Sequence, residues 1–214
     1  MMKYTDKYWK MLIPFIRKNL TRRYGKDYTK NLIKKTDKEY REMLQRADDI
    51  GADNPMASNT YECLVFLALW KAAEGKISVE DLRQLTRDIL SMPVLKLMGL
   101  YINGNKDSGV KRFRAMMEKD ADWLEKHPQY KNVSWDFNFD ETKHQDGFYY
   151  HFTQCPLNTF ARKEGYLEVL PVMCEIDYLT ARLMHFKLHR QQTLASGGEI
   201  CDYWFVGDKI KSPK

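Results

Sequence analysis

The chain has 214 residues, of which 43% are hydrophobic and 30% are charged. This composition suits one globular core, and an aromatic content of 13% is too high for a disordered chain. No run approaches the ~20 uncharged apolar residues of a membrane span, so none is expected. Four cysteines are too few for a disulfide scaffold, and no secretory signal precedes them. We therefore expect reduced thiols and a cytoplasmic location.

The formal net charge of +6 is concentrated in the N-terminal segment. Residues 1–46 carry 14 Lys and Arg against 5 Asp and Glu, a balance of +9, whereas the remaining residues carry 21 against 24, a balance of −3. Apolar residues recur at helical spacing in this segment, with basic residues between them. This pattern predicts amphipathic helices with solvated basic faces.

The organisation predicted from this contrast is a basic helical extension over residues 1–50, packed on a single α+β domain over residues 51–214. No helix-turn-helix, zinc-finger or RNP-type motif accompanies the basic charge, so nucleic acid is not an expected partner. Binding of the basic helices to a membrane surface is an alternative, although acidic residues interrupt the pattern.

Three further helices are predicted before residue 127. The apolar run over 63–70 indicates a buried helix over 61–73. Ser78 and Asp81 have the spacing of a capping box and open a helix over 79–92, which Pro93 kinks or stops. After a loop over 101–109, the pattern predicts a helix over 110–126.

The periodicity changes to that of strands at residue 133. Aromatic and polar residues alternate up to Phe139 and again over 148–152, and a turn-forming run over 141–147 separates the two stretches. This pattern predicts an antiparallel hairpin.

The rest of the chain combines helices with a second hairpin. A short helix is predicted from Pro156 to about Gly165, followed by a longer one over 167–184. Strands over 186–194 and 199–206 flank the glycine turn at 196–198. The expected fold class is therefore α+β, with a helical N-terminal half and an antiparallel sheet of about four strands, in two hairpins, interleaved with helices in the C-terminal half.

Two of the cysteines have surroundings that favour thiol chemistry. Cys155 precedes Pro156 at the start of a predicted helix, where the helix dipole favours a thiolate. Cys174 and Asp177 are three positions apart on a predicted helix, so their side chains project from the same face. A carboxylate in that position can exchange a proton with the thiol.

The remaining two cysteines receive different interpretations. Cys201 precedes Asp202 just after the glycine turn and joins Cys155, Cys174 and Asp177 as a candidate catalytic residue. Cys63 lies within the apolar helix and is predicted to be a core residue, as most buried free cysteines are.

Other common catalytic patterns are missing from the sequence. His185 and His189 have the i, i+4 spacing of metal ligands on a helix, but no His-Glu-x-x-His motif and no Cys-x-x-Cys pair is present. There is also no dinucleotide fingerprint, no Walker loop and no Gly-x-Ser-x-Gly elbow. No metal and no cofactor are therefore expected, although a zinc site built from three cysteines and a histidine stays open as an alternative.

The C-terminal third resembles the family of L-2-amino-thiazoline-4-carboxylic acid hydrolases. The motifs that carry the resemblance are Phe152-x-x-Cys155-Pro156, Cys174-x-x-Asp177 and Thr193-Leu194-x-x-Gly197-x-x-x-Cys201-Asp202-Tyr203. The similarity is clearest over residues 148–206 and extends weakly toward Tyr61, leaving out the basic helices. It implies hydrolytic opening of a cyclic amidine at the bond between the amidine carbon and a nitrogen, with an N-carbamoyl-cysteine-type product.

This reaction class suits a cysteine nucleophile, because an amidine carbon is electrophilic. One of Cys155, Cys174 and Cys201 is expected to attack that carbon while Asp177 carries the proton to the departing nitrogen. Cys174 is the first choice, because only this cysteine has an acid at a fixed helical spacing.

A small molecule is the expected partner, and its carboxylate would require a cation. Arg162, Arg182 and Arg190 are the nearest arginines in sequence, and Arg182, Asp202 and Tyr150 form the predicted substrate-binding set. The alternative function is a non-catalytic module that senses a small ligand or a metal through the same cysteines, with the basic helices as a partner-binding arm. The physiological substrate and the oligomeric state are left open.

Overall fold

The computed structural model of the protein describes residues 1–91, 95 and 97–211. Its helices are α1 (Lys7–Tyr24), α2 (Lys26–Arg46), α3 (Ala57–Ala72), α4 (Val79–Leu90), α5 (Met98–Tyr101), α6 (Asp107–Lys126), α7 (Pro156–Glu164) and α8 (Leu170–Leu183), with short 3-10 turns at Pro128–Tyr130 and Leu194–Ser196. Its strands are β1 (Asn138–Phe139), β2 (Phe148–Phe152), β3 (Phe186–His189) and β4 (Cys201–Gly207). The predicted α+β class, with its helical N-terminal half and antiparallel sheet, is confirmed.

Helix α3 lies at the centre of the helical part, because it is apolar on nearly every face. Its residues from Cys63 to Leu69 are all buried. The apolar face of α2, which includes Tyr40 and Met43, packs along it, while most of the basic residues of α1 and α2 stay exposed. The apolar faces of both basic helices thus belong to the same core as α3. The division of the chain at residue 50 stays a prediction.

The four-stranded antiparallel sheet has the order β1-β2-β4-β3. Its outer pairs are the two predicted hairpins, and its central pair joins them. In the register between β2 and β4, Tyr150 lies opposite Tyr203, and Phe152 lies opposite Cys201. Alternation along the strands turns these residues, together with Phe205, toward the helices. The central pairing therefore assembles residues about fifty positions apart in the chain.

Strand β1 is shorter than the alternation over 135–139 predicts. The carboxylate of Asp136 accepts hydrogen bonds from the backbone N–H groups of Thr153 (2.9 Å) and Gln154 (2.6 Å). Donors just beyond the end of β2 are thus satisfied by a side chain and not by a partner strand. The ladder begins only at Asn138, which lies opposite His151.

Strand β3 ends at His189, five residues before the predicted end of the strand. The backbone N–H groups of Gln191 and Gln192 donate to the carboxylate of Asp202 at 2.9 and 2.8 Å, which turns the chain away from the sheet. The residues that follow form the 3-10 turn Leu194–Ser196, with Thr193 accepting from the N–H of Ser196.

The helix predictions agree with the structure more closely than the strand predictions. The capping box at α4 is confirmed, since the Ser78 hydroxyl accepts from the Asp81 N–H and the Asp81 carboxylate accepts from the Ser78 N–H, both at 3.1 Å. Helix α4 ends at Leu90, and the predicted kink at Pro93 falls outside the described residues. Helix α6 begins at Asp107, within the stretch that was predicted to be a loop.

Replacing Gly147 by alanine will lower the free energy of unfolding more than the same change at Gly165. Both glycines have left-handed φ angles, of +79° and +80°, so both variants carry the strain of alanine in this region. A Cβ atom at Gly147 would lie 2.0 Å from the backbone oxygen of Phe205, whereas one at Gly165 would meet nothing within 4 Å. We expect Gly165→Ala to lower the free energy of unfolding by about 1 kcal/mol and Gly147→Ala by at least about 2 kcal/mol more. Equal losses in denaturant unfolding would contradict this packing.

Candidate functional site

A cavity of about 540 Å³ lies between helices α3, α6 and α8 and the inner face of the sheet. Most of its lining is apolar or aromatic. The aromatic wall is formed by Phe113, Trp135, Tyr150, Phe152, Tyr203 and Phe205. Three exposed residues, Pro55, Asn59 and Met116, also line the cavity and mark its connection to solvent. Its volume and lining are typical of a small-molecule site.

The four predicted catalytic residues all line this one cavity. Cys155 is the N-cap of α7, Cys174 and Asp177 lie on α8, and Cys201 opens β4. The structure therefore brings together side chains from three elements that follow one another over about fifty residues.

Cys63 lines the same cavity, which its position in an apolar helix did not reveal. It is buried, as predicted, but it faces the space that the other three cysteines surround. The charges of Cys174 and Cys155 would each raise the pKa of Cys63, and that of Cys201 would raise the pKa of Cys155 and of Cys174, so electrostatic interactions link the four thiols.

Burial keeps these thiols protonated. It raises the pKa of Cys155 to about 12, although the backbone N–H groups of Leu157 and Asn158 at the start of α7 lower it. The predicted effect of the helix terminus is present, but desolvation outweighs it. Burial also raises the pKa of Cys174, and the nearby charge of Asp177 raises it further, while Arg190 lowers it.

The other two thiols follow the same rule. Burial raises the pKa of Cys63 and of Cys201. The Leu194 N–H, which donates to the Cys201 sulfur at 3.2 Å, acts against this shift. Formation of a thiolate at any of these positions therefore requires a base or a change of environment when a ligand enters.

The Asp177 carboxylate is held in place by two partners. Arg190 donates from Nη2 to Asp177 Oδ2 at 2.8 Å, and the Tyr203 hydroxyl donates to the same oxygen at 3.2 Å. The Arg190 side chain is only 3% exposed, and its guanidinium lies 4.0 Å from the centre of the Tyr203 ring. This arrangement fixes Asp177 at the cavity wall with its charge balanced.

The three predicted substrate-binding residues are not together. Tyr150 lines the cavity. Asp202 is buried away from the lining, where its carboxylate accepts the backbone N–H groups that end β3. Arg182 is exposed in the last turn of α8 and is not part of the lining. Arg190, which was considered together with Arg182, is instead the partner of Asp177.

The model of the L-2-amino-thiazoline-4-carboxylic acid hydrolase family matches residues 58–205. The protein belongs to this family. The matched region begins in α3 and ends in β4, so in this family member it contains the four cavity cysteines and Asp177. Helices α1 and α2 lie outside it, as the sequence motifs predicted. Comparison with curated proteins and with solved structures found no match.

The sequence patterns did not identify two acidic residues of the candidate site. Asp120 and Glu62 both line the cavity, and burial raises the pKa of each, that of Asp120 to about 6. A signal for Asp120 was present, because it lies on the buried face of α6 in series with Phe113, Met117 and Leu124. A carboxylate at a helical position otherwise occupied by apolar residues indicates either a buried partner or a site.

Within residues 1–91, 95 and 97–211, no group of three His, Cys, Asp or Glu side chains is arranged to hold a metal ion. Over the same residues, no helix combines the length and the apolar character that crossing a membrane requires.

Asp120→Asn will stabilise the protein at neutral pH. Burial raises the pKa of Asp120 in the folded state to about 6, above the ordinary value of 3.8, so ionisation of this carboxyl opposes folding and stability falls as pH rises through this interval. The amide keeps the shape of the side chain without its charge. We expect the free energy of unfolding to rise by up to about 3 kcal/mol at pH 8, and this gain to vanish near pH 4. Asp122→Asn, at an exposed position of the same helix, is the matched control for net charge. A loss of stability at pH 8 in Asp120→Asn would contradict this assignment.

Alkylation will report the protonated state of the thiols. Because the thiolate is the reactive form, we expect each of the four native cysteines to react with iodoacetamide at pH 8 at least about 100-fold more slowly than in the denatured chain. The modified peptides are quantified by mass spectrometry. Rapid alkylation of any of these cysteines in the native protein would show that its thiol is ionised, which would contradict the protonated state expected from burial.

Proposed function

We propose that the protein is a cysteine-dependent hydrolase that opens a small cyclic amidine such as L-2-amino-thiazoline-4-carboxylate. The observation that carries the proposal is the convergence of Cys155, Cys174, Cys201 and Asp177 on one cavity inside the region matched by the hydrolase family. Family membership supports the reaction class, and the cavity supports a small substrate.

Atom balance decides which ring bond opens. An N-carbamoyl-cysteine product keeps the bond between the amidine carbon and the ring nitrogen, so the bond that breaks is the one between this carbon and the ring sulfur. This corrects the expectation of carbon–nitrogen cleavage stated with the family resemblance. The leaving group is then a thiol, which needs less help from an acid than an amine does.

In the first half of the reaction, the Cys174 sulfur attacks the amidine carbon while Asp177 accepts the thiol proton. The bond between the amidine carbon and the ring sulfur then breaks, and that sulfur takes the proton from Asp177. The result is an isothiourea that joins the former amidine carbon to Cys174.

In the second half, water adds to the same carbon and passes one proton to Asp177. The bond between this carbon and the Cys174 sulfur breaks, and the sulfur recovers its proton from Asp177. The second proton of the water moves from the oxygen to the former amidine nitrogen as the carbonyl forms. The product is a urea with a free thiol, and the sum of the two halves is substrate plus one water.

The contacts of Asp177 support its role as the proton carrier. Arg190 and Tyr203 both donate to Oδ2. Oδ1 accepts no hydrogen bond from the described residues, which leaves this oxygen available for proton exchange. Arg190 also donates to the Cys174 backbone oxygen at 3.0 Å, and in this proposal it positions the nucleophile and the base together.

Turnover of L-2-amino-thiazoline-4-carboxylate tests these roles, and the free thiol in the product can be followed with a thiol-reactive dye. We expect Cys174→Ala to abolish turnover and Asp177→Asn to lower kcat by about 100-fold or more. Glu168→Gln, which neutralises an exposed carboxylate before α8, serves as the charge control.

Full activity in Cys174→Ala would rule out this nucleophile. Loss of activity only in Cys155→Ala or Cys201→Ala would move the role to that cysteine. A product without a free thiol would overturn the assignment of the broken bond.

A second candidate is a non-catalytic module that binds a small ligand in the same cavity. The protonated state of all four thiols favours this alternative, because a resting thiolate is not present to attack a substrate. Equilibrium binding of L-2-amino-thiazoline-4-carboxylate without conversion to product would favour this function over catalysis.

A further inference from the structure

The charge of the cavity lining is one-sided. Three carboxylates line it, those of Glu62, Asp120 and Asp177, and among the residues that the structure describes it is lined by no lysine, arginine or histidine. Asp177 is neutralised by Arg190, but Glu62 and Asp120 form neither a hydrogen bond nor an ion pair with any described side chain. The lysines whose charges act on them, Lys7 on Glu62 and Lys119 on Asp120, lie outside the lining, so the cavity presents unpaired carboxylates to whatever enters it.

Asp120 is the more deeply placed of these two acids, with only 9% of its surface exposed. The charge of Lys119 lowers the pKa of Asp120, but this lysine is exposed on the same helix and does not line the cavity. A buried carboxylate without a partner destabilises a fold, so its presence at a cavity wall indicates that a ligand supplies the missing donors.

Tyr150 provides a second unsatisfied group at the same wall. Its side chain is buried and its hydroxyl makes no hydrogen bond with the described residues. The charges of Asp177 and Asp120 both raise the pKa of Tyr150, so this tyrosine lies within electrostatic reach of the proposed base and of the buried acid. A ligand group bound at Asp120 thus lies along the same wall as Asp177.

A carboxylate on the ligand would meet no positively charged side chain among the described lining residues, so the lining favours recognition of the ligand's amidine over recognition of its carboxylate. The three N–H-bearing nitrogens of Arg190 donate to Asp202 O, Cys174 O and Asp177 Oδ2. Arg162 and Arg182 are exposed and neither lines the cavity, although Arg162 reaches the side chain of Asn158 at the rim.

We infer that the cavity recognises a cationic amidine attached to an apolar body, with the cation bound by Asp120 and the body held against the aromatic wall, and that a carboxylate on the ligand is not required. The inference deepens the proposed function and rests on it for the identity of the reacting group. An amidinium donates two N–H groups that match a carboxylate, and aromatic faces attract its charge. A volume of about 540 Å³ also exceeds the needs of a single five-membered ring and leaves room for the apolar body.

The same contact would assist the proposed reaction. A carboxylate beside the amidine keeps it protonated, and the carbon of a protonated amidine is more electrophilic than that of the neutral form. Asp120 thereby acts on the amidine itself, whereas Asp177 acts on the proton of the attacking thiol.

Three probes of nearly equal shape test the inference by calorimetric titration at pH 7.5. Benzamidine is a cation, benzamide is neutral and benzoate is an anion. We expect benzamidine to bind the native protein at least about tenfold more tightly than benzamide, and benzoate to bind more weakly than either. Tighter binding of benzoate, or equal binding of benzamidine and benzamide, would overturn the inference even without a variant.

The variants assign the cation contact to one residue. Asp120→Asn should lower the affinity for benzamidine about tenfold and change the affinity for benzamide less than about twofold. Asp122→Asn makes the same change in net charge at an exposed site and should change neither affinity. An equal effect of the two variants would show that the contact is not at Asp120.

These measurements separate the inference from the proposed function, because none of the probes has to react. Selective binding of benzamidine through Asp120 in a protein that hydrolyses no cyclic amidine would uphold the recognition and reject the catalysis. Hydrolysis that depends on Cys174, together with unselective binding of the probes, would uphold the catalysis and reject the recognition.

Discussion

The buried guanidinium of Arg190 holds the site together. It donates to two positions on α8, the Asp177 carboxylate and the Cys174 backbone oxygen, and to the backbone oxygen of Asp202 on β4. A buried cation is tolerated only when its donors are satisfied, so these bonds fix the helix against the strand in one geometry. The Asp177 side chain on α8 is thereby held at the cavity wall. Cys201, which precedes Asp202 on β4, lines the same cavity.

The central strand pair adds a second constraint. Pairing of β2 with β4 sets Tyr150 opposite Tyr203 and Phe152 opposite Cys201, and a shift of one residue would turn all of them to the other face of the sheet. Asp202 supports this register from the outer face by binding the N–H groups that end β3. Because its carboxylate already accepts these backbone donors, the structure gives Asp202 a structural contact, and its role in substrate binding stays a prediction.

Local patterns in the sequence predicted most of the fold. Amphipathic spacing, the Ser78 capping box and the alternation of the strands reflect interactions within a few residues, so the helices and both hairpins could be read directly. The ends of the strands could not, because they depend on bonds from Asp136 and Asp202 to distant backbone groups. Such bonds leave no periodic signal.

The candidate site was predicted only in part, for the same physical reason. Cys155, Cys174, Asp177 and Cys201 stand out beside helix ends, acids or turns. Cys63 did not, because a cysteine in an apolar helix looks the same whether it faces a packed core or a cavity. Arg190 shows its role only when α8 and β4 are brought together.

The polarity of the cavity separates recognition from reaction. We propose that the unpaired acids at one part of the lining attract a cation, while Asp177, held by Arg190, acts as a base on a protonated thiol. Because burial raises the pKa of the four thiols, the proposed function requires that a thiol become reactive only when a substrate is bound.

The central claim is that a cavity cysteine carries the substrate covalently. Intact-protein mass spectrometry of the protein, mixed with L-2-amino-thiazoline-4-carboxylate and quenched in acid at short times, tests this claim directly. We predict a mass increase equal to one whole substrate molecule, located by peptide mapping to Cys174 and missing in Cys174→Ala. Turnover without any adduct, at an unchanged rate in the variant, would contradict the account.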